Sequence, residues 1–169
     1  MKNDRRESLR RKVELPFAWQ PMVEPADWAR LCKLFAVPPI LELEDQLGEL
    51  ESEYLAARRK VDDGGVLCAL DLLHGRLKTL QSAVLGDVPE PAATTIELSA
   101  SGISFPTAEE VSSAWLALHL VLPDQQHVLC AARTVRSVRR QRDWCTAAEL
   151  HGLKAAPARA LTRFVTNNS

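Results

Sequence analysis

The stretch that decides the fold is TTIELSASGISF, residues Thr94–Phe105. Its first half alternates polar and apolar side chains, as a half-buried β-strand does, and its last four residues alternate again. The small residues between them, Ser99 to Gly102, are typical of a tight turn. The stretch therefore predicts two short strands joined by a concave corner that carries few bulky side chains.

The same two-residue period occurs on both sides of this pair of strands. The other predicted strands are Val13–Trp19, Ala114–Leu122, Val128–Val138 and Trp144–Leu150. Pro123–Gln126 has the composition of a turn, and a last helix is expected from Pro157 to Val165, because proline is favoured in a first helical turn. The two flanks of the chain therefore predict one β domain, either a meander or a small barrel.

The middle of the chain has the alternating three- and four-residue spacing of heptad repeats. The first predicted seam consists of Ile40, Leu43, Leu47, Leu50, Tyr54, Ala57 and Val61. The second consists of Val66, Leu70, Leu73, Leu77, Leu80 and Val84. Asp62–Gly65 is expected to stop the first helix, so the two helices form an antiparallel hairpin. A shorter helix, Trp28–Phe35 with Asp27 as its N-cap, precedes them.

These periods predict a helical insertion within a β domain. Residues 1–22 form a basic arm and the first strand, residues 23–91 form the helical insertion and a linker, and residues 92–169 complete the β domain. A long insertion in a loop costs little, because closure entropy grows only logarithmically with length. Two partners for the apolar seams remain open. The hairpin packs back on its own domain, or it associates with other copies, as the length of the heptads favours.

The composition is that of an ordinary soluble protein. The 169 residues are 46% hydrophobic and 25% charged, with a net charge of −1. No apolar run reaches the length of a membrane span, and no apolar segment of a secretory signal follows the charged N-terminus. The four cysteines, Cys32, Cys68, Cys130 and Cys145, lack paired spacing and have apolar neighbours. We expect a reduced, cytoplasmic protein without a metal site.

Catalytic motifs are not found in the sequence. His119 lies in an apolar strand and His127 in a turn, where structural roles are expected. Glu149 and His151 share one face of a strand, so an acid–base pair and a structural hydrogen bond are both open readings. We expect the structural role, no catalysis and no cofactor.

The first twelve residues form a basic arm. It contains Lys2, Arg5, Arg6, Arg10, Arg11 and Lys12 against Asp4 and Glu7. Such an arm can be a solvated tail, a non-specific contact for nucleic acid or membrane, or a specific grip on phosphate and purine, for which the planar guanidinium is well suited. Because the chain has no nucleic-acid recognition motif, we expect no nucleic-acid partner.

A second group of basic residues occurs at the end of the fifth strand and in the loop that follows. It comprises Arg133, Arg136, Arg139, Arg140 and Arg142. A solvated strand face and a phosphate contact are the two interpretations, and the first is the ordinary one for charged residues on a strand.

Three features in chain order resemble the PilZ domain family. Arg6 and Arg10 have RxxxR spacing and lead directly into a strand. The sequence ELSASG, Glu97–Gly102, is similar to the family motif [D/N]xSxxG, and WCTAAELHGLKAAPARALTRFV resembles the closing strand and helix. The resemblance covers about residues 5–20 and 92–166. The heptad insertion resembles that of an atypical, tetramer-forming PilZ subgroup.

The resemblance implies an α+β fold: a six-stranded antiparallel barrel with a C-terminal helix and an inserted helical hairpin. PilZ domains are bacterial receptors for cyclic di-GMP. Carried over by position, Arg6 and Arg10 would bind guanine faces and phosphates, and position 97 and Ser99 would contact a guanine edge or its phosphate. Gly102 would keep the barrel wall clear of a side chain.

Position 97 departs from the family pattern, because Glu97 stands where the family has Asp or Asn. The added methylene moves the carboxylate outward by about 1.5 Å, a displacement that matters in a preorganised site. Two functions are therefore carried forward. One is a cyclic di-GMP receptor that signals to a protein effector through an oligomeric scaffold. The other is a homotetrameric assembly module that has lost nucleotide binding.

Overall fold

The computed structural model describes residues 10–38, 50, 53–85, 88–123, 126–141 and 143–166. The chain divides into two compact units, Met1–Ala36 with Glu90–Ser169, and Val37–Pro89. The short helix Trp28–Leu34 (α1) belongs to the first unit, so the inserted unit begins after this helix rather than at residue 23. The predicted site residue Arg6 and the seam residues Ile40, Leu43 and Leu47 lie outside the described residues.

The first unit is a closed barrel of six antiparallel strands, as expected. The strands are β1 (Arg11–Met22), β2 (Ala93–Leu98), β3 (Gly102–Thr107), β4 (Trp115–Val121), β5 (His127–Arg140) and β6 (Asp143–His151). Their order around the barrel is β1-β2-β3-β6-β5-β4. β1 closes the barrel, because its residues up to Pro16 pair with β2 and those from Phe17 onward pair with β4.

Alternate side chains of the strands fill the barrel. At its centre, the Phe105 ring lies 4.9 Å from the ring of Phe17 and 5.6 Å from that of Trp19. The last helix, Ala155–Thr166 (α4), adds Leu161 and Val165 to the same core. These contacts join residues from both ends of the chain, so the arm-bearing strand and the C-terminal helix fold as parts of one domain.

Strand β4 is buried on both faces over most of its length, and β5 is buried on both faces over its first six residues. Their inward side chains enter the barrel core, and α1 lies against β5 on the outside. Asp27 is the N-cap of α1, as expected, since its Oδ1 accepts the backbone N–H of Arg30 at 2.9 Å. A covered outer face explains why β4 and the first half of β5 are nearly continuous apolar runs rather than alternating ones.

Two histidines are buried on this covered face. His119 Nε2 lies 2.9 Å from His127 Nδ1, and the Phe35 ring lies 5.4 Å from the His119 ring. Burial lowers the pKa of His119 to about 4, and it also lowers the pKa of His127, where the Glu90 carboxylate acts in the opposite direction. Both imidazoles are therefore neutral at physiological pH, so that one ring donates a proton to the other.

We expect this pair to make the protein sensitive to acid. The pKa of His119 in the folded protein lies below its ordinary value of 6.5, so the unfolded chain takes up this proton more readily. The free energy of unfolding is therefore at its full value above pH 6.5 and decreases as the pH falls towards about 4. At about 1.4 kcal/mol per pKa unit, the loss reaches at most about 3 kcal/mol. Urea unfolding across this range measures it, with His119→Gln as the control that cannot titrate. Equal pH slopes for the wild type and this control would contradict the prediction.

The second unit contains the predicted antiparallel hairpin. Its first helix (α2) is described at residue 50 and over residues 53–58, and its second (α3) is Gly64–Leu85. Val61 lies beyond α2, because the helix tightens and ends through bonds from Lys60 N to Ala57 O and from Val61 N to Arg58 O. The prediction that α2 reaches Val61 was therefore wrong.

The start of α3 also differs from the expectation. Gly64 and Gly65 were predicted to be turn residues, but they form the first turn of α3. The Asp63 Oδ1 accepts the backbone N–H groups of Gly65 at 2.8 Å and Val66 at 3.1 Å. This N-cap offsets the low helix propensity of the two glycines.

Polar contacts join the two helices of the hairpin. The Asp71 carboxylate accepts bonds from Arg58 Nε at 2.8 Å and from Arg58 Nη2 at 2.7 Å. Tyr54 donates its hydroxyl to the same carboxylate at 2.9 Å, and its ring stacks on His74 at 4.5 Å. The bonds from Arg58, the largest cause, and Tyr54 lower the pKa of Asp71 to about 2.

Most seam positions of the hairpin are exposed in the single chain. Tyr54 and Leu70 are half-buried, whereas the exposed seam residues are Leu50, Ala57, Val66, Leu73, Leu77, Leu80 and Val84. Four leucines and valines of α3, namely Leu73, Leu77, Leu80 and Val84, are spaced four, three and four residues apart and are called here the α3 stripe. This spacing places them on one side of the helix.

Candidate functional site

A surface groove of about 750 Å³ lies on the outside of the barrel. It is called the barrel groove here and is lined by Arg10, Glu97, Ser99, Ser101, Gly102, Ile103, Ser104, Val135, Arg136, Arg140, Ala147, Ala148 and Glu149. Its volume lies within the range of roughly 300–1,000 Å³ that is usual for small-molecule sites. Four of the five predicted ligand residues line it, Arg10, Glu97, Ser99 and Gly102, and the fifth, Arg6, is outside the described part of the chain.

The turn between β2 and β3 forms one end of the barrel groove. Ser99 donates its backbone N–H to the Gly102 carbonyl at 2.8 Å, and its hydroxyl donates to the same oxygen at 3.1 Å. The Ser101 carbonyl accepts the backbone N–H of Leu150 at 2.9 Å, which ties the turn to β6. The Ser99 proton is thus used inside the turn, and only the lone pairs of its oxygen remain for a ligand.

Gly102 lies where β3 approaches β6 closely. It faces Glu149 in the strand register. A Cβ atom at this position would lie 3.2 Å from the Ala148 carbonyl oxygen and 3.6 Å from the Ser99 hydroxyl. A side chain here would therefore push the strands or the turn apart, and it would also occupy the floor of the groove.

Glu97 points out of the barrel, because its neighbours Ile96 and Leu98 point in and are buried. In the strand register it lies between Lys12 on β1 and Ser104 on β3. Its carboxylate is half-buried and reaches the groove. A carboxylate in this position can accept hydrogen bonds from the N–H groups of a ligand, because both of its oxygens carry lone pairs.

Arg10 is the first described residue of the basic arm and is exposed at the edge of the barrel groove. The next residue is held firmly. The Arg11 guanidinium lies 4.5 Å from the centre of the Phe164 ring and donates to the Phe164 carbonyl at 3.1 Å. This anchor on α4 determines where the arm leaves the barrel, and with it the position of Arg10.

The opposite wall comes from β5 and β6, and it contains residues that were not predicted to bind a ligand. They are Val135, Arg136, Arg140, Ala147, Ala148 and Glu149. The basic cluster in β5 was the sequence signal for two of them. In a regular strand, however, Arg136 and Arg140 would lie on the face opposite Arg133. The sequence therefore did not predict that these two arginines line the groove.

A β-bulge explains this difference. Thr134 pairs with Ala148 and Arg136 pairs with Ala147, so Val135 is an extra residue on β5. The extra residue reverses the alternation for the rest of the strand. Arg136 and Arg140 therefore face outward, on the same side as Arg133, and line the barrel groove.

Glu149 and His151, the conceivable acid–base pair, lie on one strand face as expected. The shortest contact of Glu149 is with Arg133, whose guanidinium nitrogen lies 3.0 Å from its carboxylate, whereas His151 Nε2 lies at 3.8 Å. His151 also packs edge-on against Trp115 at 5.2 Å. The contact between Arg133 and Glu149 is an ion pair on the barrel wall. The hydrogen bond expected of His151 is not observed, because its Nε2 is buried without a hydrogen-bond partner in the described part of the chain.

No helix in the described part of the chain combines the length and apolarity of a membrane span.

No family model matches the chain, and no curated protein matches it either. Among solved structures, the chain is similar to a crystal structure of a protein from Xanthomonas campestris, with a TM-score of 0.63 and 14% identity over 96% of this chain and 88% of that chain. That protein is described as a tetrameric PilZ domain that self-assembles through a helical bundle. A second similarity, to the Bacillus subtilis inhibitor of motility, has a TM-score of 0.40 and 20% identity over 44% of this chain and 40% of that chain.

The first similarity spans almost the whole chain, barrel and insertion alike. At this level of identity it concerns the fold. Because it covers the barrel, the C-terminal helix and the inserted helices, the chain has the PilZ-domain fold that the resemblance of the basic arm and the Glu97–Gly102 motif implied.

Proposed function

We propose that the protein is a receptor for cyclic di-GMP, which binds in the barrel groove. One observation carries the proposal: Arg10 and three residues of the Glu97–Gly102 motif, which are far apart in sequence, line the same groove. The groove offers guanidinium groups for phosphate and for stacking on a base, and a carboxylate for the N–H edge of guanine. In this function the arm closes over the bound nucleotide, and its ordering is the signal to a protein effector.

Binding of cyclic di-GMP by the wild-type protein is expected at micromolar strength in isothermal titration. Arg10→Ala should weaken it at least about tenfold, or ~1.4 kcal/mol, because a charged, bidentate donor is removed. Lys33→Ala, which removes an exposed cation from α1 outside the groove, is the matched control and should bind as the wild type does. The absence of any heat at high micromolar nucleotide would rule out the receptor function.

The length of the side chain at position 97 has its own test. Glu97→Asp withdraws the carboxylate by about 1.5 Å and restores the family residue. If Glu97 misdirects the contact with guanine, this variant should bind more tightly than the wild type. Weaker binding by Glu97→Asp would show instead that the rest of the groove is adapted to glutamate.

A second function is supported by the hairpin. We propose that the protein self-associates through the inserted helices, most simply as a homotetramer. The exposed α3 stripe supports self-association, and the number four comes from the similar Xanthomonas campestris protein, which is described as a tetramer. In this function the barrel is displayed on a helical scaffold, whether or not it binds the nucleotide. Multi-angle light scattering measures the assembly.

A further inference from the structure

The wall of the barrel groove formed by β5 and β6 carries positive charge that has no ion-pair partner among the residues that the structure describes. Arg136 and Arg140 are exposed and belong to no ion pair between residues that the structure describes. Asp143 faces Arg140 in the strand register, yet it is not among the described ion pairs either. Both guanidinium groups are therefore available to an anion.

The carboxylates of the groove do not cancel this charge. Three arginines line the groove, Arg10, Arg136 and Arg140, against Glu97 and Glu149. Glu149 already forms an ion pair with Arg133 at 3.0 Å, and Arg133 is not one of the three arginines that line the groove. An excess of positive charge in a concave site raises the local concentration of anions, and an anion that binds there relieves repulsion among the arginines.

The spacing of the two side chains suits a ligand with more than one phosphate. Arg136 and Arg140 are four residues apart on β5, so their Cα atoms are separated by about 13 Å. Because arginine side chains are long and flexible, their guanidinium groups can lie closer together than this. Their common direction is not accidental, because the bulge at Val135 turns both toward the groove. Two phosphates can each engage one guanidinium group without drawing the two like charges together.

We propose that Arg136 and Arg140 form the phosphate-binding wall of the barrel groove, facing the Glu97–Gly102 turn, and that they favour a nucleotide with two phosphates. This inference rests on the proposed receptor function and adds to it a pair of residues outside the motifs. Arg10 and the Glu97–Gly102 turn then hold the bases, and β5 holds the phosphates.

Titration of cyclic di-GMP into the full chain tests the proposal. Arg136→Ala and Arg140→Ala should each weaken binding about tenfold, whereas Arg139→Ala, an exposed arginine of the same strand that does not line the groove, should leave it unchanged. The affinity of both groove variants should depend less on salt than that of the wild type, since each has lost a charged contact. Arg136→Lys keeps the charge and should retain most of the salt dependence.

Two failures are distinguishable. If the wild type binds the nucleotide and both groove variants bind it equally well, the phosphate wall is wrong and the receptor function stands. If the wild type does not bind, the receptor function falls and the phosphate wall falls with it. All three alanine variants change exposed side chains, and an unchanged thermal midpoint shows that a loss of binding is not a loss of folding.

Discussion

Replacing Leu73 and Leu80 with glutamate is expected to convert the proposed oligomer to a monomer. Both side chains belong to the α3 stripe and are 57% and 63% exposed in the single chain. In an assembly of hairpins each would be buried against another copy, so the substitution would place unpaired charges in an apolar interface. The cost is several kcal/mol per buried charge, and every copy carries two.

The control for this prediction is Thr79→Glu. Thr79 is exposed on the same helix, and at 100° per residue it lies about 100° around the helix from Leu80 and about 120° from Leu73. Thr79→Glu adds a negative charge to α3 off the stripe, so the assembly should persist. Light scattering that finds the wild-type protein monomeric at micromolar concentration would remove the basis for the scaffold.

Phe105→Ala is expected to cost about 3–5 kcal/mol of the free energy of unfolding, because it leaves a large cavity at the centre of the barrel. The Phe105 side chain is 1% exposed and contacts the rings of Phe17 and Trp19. That cost is a large part of the stability of a typical domain, which is roughly 5–15 kcal/mol. Urea unfolding measures it, and Phe105→Leu provides a milder variant if the alanine variant does not fold.

Val23→Ala is the matched control, since Val23 is 94% exposed and its truncation should change the free energy of unfolding by less than about 0.5 kcal/mol. A cost below about 1 kcal/mol for Phe105→Ala would show that the ring is not part of the core. Phe105 is also the neighbour of Ser104, which lines the groove. The packing of the Phe105 ring in the core therefore helps to hold β3 in its position at the groove.

Local patterns in the sequence were sufficient to predict the elements. The two-residue period predicted all six strands, the heptad spacing predicted the hairpin, and Asp27 predicted the start of α1. These elements depend on the chemistry of adjacent residues, which is why one sequence is enough to find them. The closed barrel and four of the groove residues were implied instead by the resemblance of the basic arm and the Glu97–Gly102 motif to the PilZ family.

Only the tertiary structure decided how these elements are used. The direction of Arg136 and Arg140 depends on one extra residue, Val135, whose position is apparent only when β5 is paired with β6. Likewise, His119 and His127 are neutral and bonded to each other because the outer barrel face is covered, and alternation along a strand does not predict that cover. Register and burial arise between segments distant in sequence, so a local period does not determine them.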